Sequence, residues 1–321
     1  MPFAFDAYVT DARFDRSGRA AFALGDGTVR WEDGASIQAH DGAVLCAAAH
    51  PSGEGLITGG DDGRLVWSRP GGAETLAEAK GRWIDVVASS AVTGLVAFAA
   101  GREVMVRDVN DPRFAGSLVH ERTVAGLDFD PKGRRLAAAT YGGAALWYAR
   151  IAEQKPQMLK WAGSHVLAAF SPDGRFLVSA MQENELHGWK LADGSNMRMG
   201  GYPSKVKSLA FLDRGRLMVT AGAAGAVIWP FAGSSGPMGK QATEVGFQEG
   251  SVVTRVAATP DAPRIVAGLS DGRVWSADLG GGAVRFLKAE KGQPISALAI
   301  GPDGDRIAWG DEAGEAGVAE I

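Results

Sequence analysis

The side chains best suited to chemistry are five histidines and one cysteine, and their spacing argues against a metal site. The histidines are His40, His50, His120, His165 and His187, and Cys46 lies between the first two. His40 and His50 stand on one predicted extended segment, where each residue adds about 3.3 Å. They are too far apart to share an ion unless the chain folds back, and Cys46 in its apolar run is predicted to be a small buried residue. We predict no metal site and no cofactor.

No set of residues with the spacing of a catalytic centre appears in the chain. The sequence has no Gly-x-Ser-x-Gly motif, and Gly280-Gly281-Gly282 follows a predicted strand but precedes no helix, so it is not a phosphate loop. Acidic residues recur at turns, where side-chain to backbone hydrogen bonding explains them better than catalysis does. They are Asp26, Asp62, Asp173, Asp271 and Asp303. We therefore predict that the protein is not an enzyme and has no catalytic residues.

A repeated unit of about forty residues determines where all these side chains lie. Its clearest copy, FSPDGRFLVSAMQENELHGWKLAD at 170–193, contains a Pro-Asp-Gly turn, a buried strand, a polar turn and a strand that ends at Trp189. The first turn of the unit recurs along the chain at Gly18, Gly53, Gly94, Gly133, Gly174, Gly215, Ala262 and Gly304. Eight copies at intervals of 35 to 47 residues indicate a repeat architecture.

The repeated pattern resembles the WD-repeat β-propeller family. The stretches HPSGEGLITGGDDGRLVWS (50–68) and DPKGRRLAAATYGGAALWY (130–148) match it best, and the resemblance covers essentially the whole chain. It implies an all-β, eight-bladed β-propeller of four-stranded antiparallel blades, with seven blades as the alternative if one unit were discarded. We expect one domain over residues 1–321. In this family an N-terminal strand often completes the last blade, and Pro2 to Asp6 is predicted to do so here.

Bulk composition excludes several classes of function. The net charge of −4 leaves no basic surface for nucleic acid, and no apolar run is long enough to cross a bilayer. The N-terminus has no basic region and carries Asp6 and Asp11 early, unlike a secretory signal. We therefore expect a cytoplasmic monomer that binds neither nucleic acid nor membranes.

The resemblance also implies a buried hydrogen-bond chain of His, Ser or Thr, Asp and Trp within a blade. In the second unit, His40, Thr58, Asp62 and Trp67 have these residue types, although the aspartate lies one residue too near the tryptophan. Whether that unit forms the chain stays open at this point. Among the other units only the fourth has a nearby histidine, His120, so we expect the ring to be held mainly by apolar packing.

The connections from each outer strand to the next inner strand provide the best candidate surface. Aromatic residues that the strand-ending tryptophan rule does not explain lie there beside basic residues, a composition typical of interaction hot spots. The predicted partner-binding residues are Trp83, Trp161, Tyr202, Arg82, Arg122, His165 and Lys205. We predict a scaffold that binds another protein through an acidic or apolar peptide segment. The alternative is a propeller enzyme, or a small-molecule or metal site in the central channel, for which Asp85 is the one unexplained carboxylate.

Overall fold

The computed structural model describes residues 2–281 and 283–321, and almost all of its regular structure is β-strand. In the first half, the strands are β1 (Phe3–Ala4), β2 (Val9–Phe14), β3 (Ala20–Leu24), β4 (Thr28–Trp31), β5 (Ser36–Gln38), β6 (Val44–Ala49), β7 (Leu56–Gly60), β8 (Arg64–Arg69), β9 (Gly72–Glu78), β10 (Val86–Ser90), β11 (Leu95–Ala100), β12 (Glu103–Asp108), β13 (Asp111–Val119), β14 (Val124–Phe129) and β15 (Arg135–Tyr148). In the second half, they are β16 (Gln157–Phe170), β17 (Phe176–Met181), β18 (Leu186–Lys190), β19 (Asn196–Met199), β20 (Leu209–Leu212), β21 (Leu217–Thr220), β22 (Ala226–Pro230), β23 (Thr243–Val245), β24 (Val253–Ala258), β25 (Arg264–Leu269), β26 (Val274–Asp278), β27 (Arg285–Lys288), β28 (Ile295–Ile300), β29 (Arg306–Asp311) and β30 (Glu315–Glu320). Within these described ranges, no helix is long and apolar enough to cross a membrane.

The strands form seven antiparallel sheets, and the main prediction of eight separate four-stranded blades is wrong. Six sheets have four strands, and the seventh has six, in the order β14 to β19. All eight sequence units are nevertheless present, because units four and five share the six-stranded sheet. Seven is therefore the number of sheets, although no unit is lost to reach it.

Two long strands explain why units four and five are joined. β15 runs through the turn at Tyr141-Gly142-Gly143, where the two glycines have φ of 91° and 136°, values that only glycine adopts easily. β16 then serves both units in turn, because Ser164 pairs with Tyr141 of unit four and the next residue, His165, pairs with Met181 of unit five. No loop separates the outer strand of one unit from the inner strand of the next.

The ring is closed by the N-terminal segment, which confirms that prediction. Phe3 pairs with Ala316 on β30, so that β1 is the outer strand of the last unit. The rings of Phe3 and Phe5 lie 5.7 and 5.6 Å from that of Phe22 in unit one. Closure pairs the outer edge of β30, which would otherwise be free to join another chain.

The apolar core lies between neighbouring sheets. One cluster joins units three and four through residues such as Leu95, Val104, Leu127 and Trp147, all less than a tenth exposed. Short side chains fill the middle strands, as in β11 (LVAFAA), which is buried throughout. Burial on both faces explains why these strands are almost entirely apolar and do not alternate. The sheets therefore hold the connecting loops in fixed positions.

Candidate interaction surface

Strand direction decides which loops share a face of the ring. Each unit is antiparallel, so outer-to-inner connections and the turns between second and third strands lie at one end of the sheets. We call this the upper face. The turns between first and second strands, and between third and fourth strands, form the lower face. All seven predicted partner-binding residues lie at the upper-face end of the sheets, five on connecting loops and two, Trp161 and His165, within β16.

Four of the seven predicted residues are exposed on the upper face. Trp83 has 65% of its surface exposed, and Arg82, Arg122 and Lys205 are also exposed. The Arg82 guanidinium donates to Glu103 at 2.9 Å, which anchors the connection into unit three on that unit's own turn. Lys205 lies farther round the ring, on the connection into unit six.

Tyr202 is buried and completes a polar network in unit six. The Trp229 indole N–H donates to the Tyr202 hydroxyl at 2.6 Å, and that hydroxyl lies 2.6 Å from the Thr220 hydroxyl. The Thr220 hydroxyl in turn donates a hydrogen bond to the Val227 carbonyl at 3.4 Å. Burial raises the pKa of Tyr202 to about 12, although the bonds to Thr220 and Trp229 oppose the shift. With only 8% of its surface exposed, Tyr202 is not accessible to a partner.

His165 and Trp161 are likewise used inside unit five. His165 is 1% exposed, its Nδ1 lies 2.6 Å from the Ser179 hydroxyl and its Nε2 lies 3.1 Å from the Trp161 carbonyl. Burial lowers the pKa of His165, which favours the neutral ring. Trp161 is half-buried and stacks on His187 with ring centres 3.9 Å apart. The structure therefore gives both side chains contacts within the fold.

Polar networks also form in units five and six, which the sequence reasoning did not single out. In unit four the Trp147 indole donates to His120 at 2.9 Å, and units five and six have the bonds of His165 and Tyr202. The sequence signal that predicts these networks is the interval between the polar residue and the next inner strand. His40, His120 and Tyr202 each precede by four residues the buried valine that leads into an inner strand. Tyr202 thus occupies the place of a histidine, and its hydroxyl replaces a ring nitrogen.

Unit two forms only part of the family network. His40 is fully buried, with Nε2 2.9 Å from the Thr58 hydroxyl and Nδ1 2.9 Å from Asp62. Burial opposes ionisation of Asp62, but hydrogen bonds from the Arg64 backbone and from the His40 and Arg64 side chains hold its pKa well below the usual range. Trp67 takes no part, since its indole donates to the Glu54 carbonyl at 2.7 Å.

Strand register explains the absence of Trp67 from this network. Trp67 pairs with Ile57, the neighbour of Thr58, so its side chain lies on the opposite face of the sheet from Thr58. Ser68 takes the inward position, where it is fully buried and its hydroxyl has no partner among the described residues. The one-residue offset noted in the sequence therefore moves the aromatic ring to the other side of the strand.

The upper face carries exposed apolar residues that the sequence reasoning missed. Tyr141 (65% exposed) lies at the turn of unit four, and Val119 (69% exposed) ends the outer strand of unit three. Val119 pairs with Glu103, the residue that binds Arg82. Arg122 and Tyr141 line one cavity of about 590 Å³ with Ser164, His165 and Gln182. Tyr141 stands where the family has a turn aspartate, and that replacement is the signal that identifies it.

Side chains from neighbouring units bond to the inner-strand edges around the central channel. Ser296 donates to the Val9 carbonyl at 2.6 Å, and Thr254 donates to the Ile295 carbonyl at 2.7 Å. The Asp128 carboxylate accepts the Phe170 N–H at 2.7 Å, and burial raises the pKa of Asp128 to about 7. Among the residues described, no three histidine, cysteine or carboxylate side chains cluster as metal ligands.

Comparison with known proteins supports the same fold. Residues 31–67 match the family model described as WD domain, G-beta repeat. Together with the ring of antiparallel sheets, this match supports a WD-repeat β-propeller, a class whose members commonly act as protein-interaction scaffolds and are typically non-enzymatic. The crystal structure of the computationally designed Ika8 protein is similar, with a TM-score of 0.78 and 19% identity over 99% of this chain and 98% of that chain. At that identity the likeness shows the fold alone. By sequence, the chain matches no curated protein.

Proposed function

We propose that the protein is a non-enzymatic scaffold that binds an acidic and apolar peptide segment on its upper face. The proposed surface, called the aromatic arc, consists of Arg82, Trp83, Val119, Arg122 and Tyr141. It replaces the wider predicted set, because Tyr202, His165 and Trp161 are used within the fold. Lys205 remains a predicted contact at a greater distance round the ring.

The observation that carries the proposal is the exposure of two aromatic residues along one continuous surface. The Arg82–Glu103 ion pair and the Glu103–Val119 strand pair connect Trp83 to the end of unit three. Arg122 and Tyr141 continue the surface into unit four. Exposed Trp, Tyr and Arg dominate binding energy in protein interfaces. Such residues are costly to leave in water in a contiguous group, so their presence supports an interface here.

Charge supports an acidic element in the peptide. Arg122 has no ion-pair partner in the described part of the chain, and Arg102 in the adjacent turn has none either. Both arginines are exposed and can pair with a carboxylate through two parallel hydrogen bonds. The aromatic rings beside them would contact the apolar residues of the same segment.

Selection from a displayed random-peptide library tests the proposal directly. Wild-type protein should enrich peptides that combine Asp or Glu with large apolar residues. Trp83→Ala and Tyr141→Ala should each weaken binding of a selected peptide by about tenfold, the effect of losing a moderate hot spot. Tyr148→Ala is the matched control, because Tyr148 belongs to the same unit and is 57% exposed, but it ends a third strand on the lower face.

Two results would contradict the proposal. One is equal loss of peptide binding in Tyr141→Ala and Tyr148→Ala, which would mean that the loss is not specific to the upper face. The other is selection of no peptide whose binding depends on Trp83. Each variant must first retain the wild-type circular dichroism spectrum and melting temperature, so that lost binding is not lost folding.

A further inference from the structure

A cavity of about 560 Å³ opens on the lower face between units one and two. Its walls are the turn 15–19 of unit one, the turn 52–55 of unit two and residues 69–71 at the end of β8. Three arginines line it: Arg16, Arg19 and Arg69. It is remote from the aromatic arc, which lies on the opposite face and on other units.

Arg69 is the unusual member of this cavity. Its guanidinium lies 3.9 Å from the centre of the Trp67 ring, which itself stacks on His50 at 4.0 Å. Its Nη1 atom is buried without a hydrogen-bond partner, and the side chain has no ion pair among the described residues. Arginine stays charged at any accessible pH, so a buried donor left unpaired is costly. The Arg69 guanidinium therefore brings an unpaired positive charge to the wall of the cavity.

The Arg16 side chain also has no ion-pair partner within the described chain, unlike Arg19, which lines the same cavity. Arg19 binds Asp15 and Asp33, each at a closest N–O distance of 3.3 Å or less. In the corresponding cavity between units four and five, Arg135 binds Asp130 at 3.1 Å. Of the three arginines that line the cavity, Arg16 and Arg69 therefore have no ion pair among the described residues, whereas Arg19 has two.

The carboxylates near this cavity do not neutralise the two arginines. Asp15 accepts from Ser17 and Arg19, and the Glu54 side chain is exposed and forms no ion pair among the described residues. Burial and the charge of Arg69 lower the pKa of His50 to about 4, so at neutral pH the ring adds no positive charge. Arginine binds phosphate and carboxylate oxygens through paired hydrogen bonds.

We propose that this cavity binds an oxyanion, the phosphate or carboxylate group of a ligand, through Arg16 and Arg69. Trp67 holds the Arg69 guanidinium in place, and the Trp67 indole is itself fixed by its bond to the Glu54 carbonyl. Trp67 can support Arg69 because its side chain lies on the face of β8 opposite the polar network.

Nuclear magnetic resonance titration of the full chain tests the site, with inorganic phosphate and acetate as separate probes at constant ionic strength set by chloride. Saturable shifts of the Gly53 and Gly71 amides and of the Arg69 Nε–H signal are expected with phosphate, acetate or both. A response to phosphate alone assigns a phosphate group, and a response to acetate alone assigns a carboxylate. Absence of saturable shifts with both probes at millimolar concentrations would overturn the proposal.

Arginine-to-glutamine variants test whether the probe binds in this cavity. Arg69→Gln and Arg16→Gln should each lower the affinity for the probe by about tenfold or more, as expected for the loss of a charge-assisted hydrogen bond. Arg135→Gln removes a paired arginine from the corresponding cavity and should leave the affinity unchanged. Equal affinity in Arg69→Gln and wild type would refute the site. If Arg69→Gln fails to fold, Arg16→Gln provides the same test, because Arg16 is an exposed turn residue.

Discussion

Units two and six each have a tryptophan near the end of the third strand, yet the two side chains lie on opposite faces relative to the threonine of the second strand. Trp229 pairs with Met218, two residues from Thr220, so it shares the face of Thr220 and joins the network of Tyr202. Trp67 pairs with the direct neighbour of Thr58 and therefore points away from the network. A shift of one residue in a strand moves the side chain to the other face. Identical residue types in a repeat thus do not guarantee identical roles.

The comparison also shows that one network tolerates replacement of its members. In unit six a tyrosine performs the role of a histidine, and the chain of donors from Trp229 to Thr220 is complete. In unit two, the histidine and aspartate are kept but the tryptophan is lost, and the Ser68 hydroxyl is left unpaired. Unit six therefore has a three-residue network without an aspartate, and unit two has one without a tryptophan.

Removing the two tryptophans should give the largest difference between the units. Trp229→Ala should lower the free energy of unfolding by about 3 kcal/mol, because it removes a large ring that packs in the core and leaves the Tyr202 hydroxyl without its donor. Trp67→Ala should cost about 1 kcal/mol, since its partly buried ring stacks on the polar side chains of His50 and Arg69. Urea unfolding measures both. Equal costs would mean that the register difference has no energetic consequence.

The hydroxyl of Tyr202 is expected to have the next largest effect. Tyr202→Phe leaves the ring packed but removes the acceptor of the Trp229 indole, which should cost about 2 kcal/mol of unfolding free energy. Tyr148→Phe, at an exposed site, should change it by less than about 0.5 kcal/mol. If the two variants unfold at the same urea concentration, the Tyr202 network does not stabilise unit six.

Asp62 should make the network of unit two depend on pH, unlike that of unit six. Its folded-state pKa is lowered, so its contribution is present above the unfolded-state pKa, about 4, and is lost as the pH falls toward the folded value. Asp62→Asn should destabilise the protein by about 1 kcal/mol at pH 7. The difference from wild type should shrink below pH 4. Urea unfolding from pH 3 to pH 7 measures it, and the Tyr202→Phe effect should stay constant over that range.

Ser68 should give the smallest effect, and one of opposite sign. Ser68→Ala removes a buried hydroxyl that has no partner in the described chain, so the free energy of unfolding should rise by about 0.5 kcal/mol. Thr220→Val is the contrasting variant, because the Thr220 hydroxyl is paired and its loss should destabilise the protein. A loss of stability in Ser68→Ala would indicate that the hydroxyl does find an acceptor.

The repeat determined the all-β repeat architecture, and its resemblance to the WD-repeat family implied the propeller and its closure by the N-terminal strand. Turn residues and apolar strands act locally, so the spacing of Gly18 to Gly304 locates every unit without knowledge of its neighbours. The number of sheets was not determined in this way. It depends on whether β15 and β16 continue as single strands past Gly142 and Gly163. The structure shows that they do, although their pairing shifts register between Tyr141 and Gly143.

The candidate surface was likewise predicted only in part from the sequence. Sequence identified Trp83, Arg82 and Arg122 as belonging to connections on one face, because strand direction fixes which loops meet. It could not separate exposed Trp83 from buried Tyr202, since both precede inner strands. Their difference arises from partners distant in the chain, Thr220 and Trp229 for Tyr202. Turns and strands follow from neighbouring residues, whereas burial and register depend on contacts that exist only after the ring has formed.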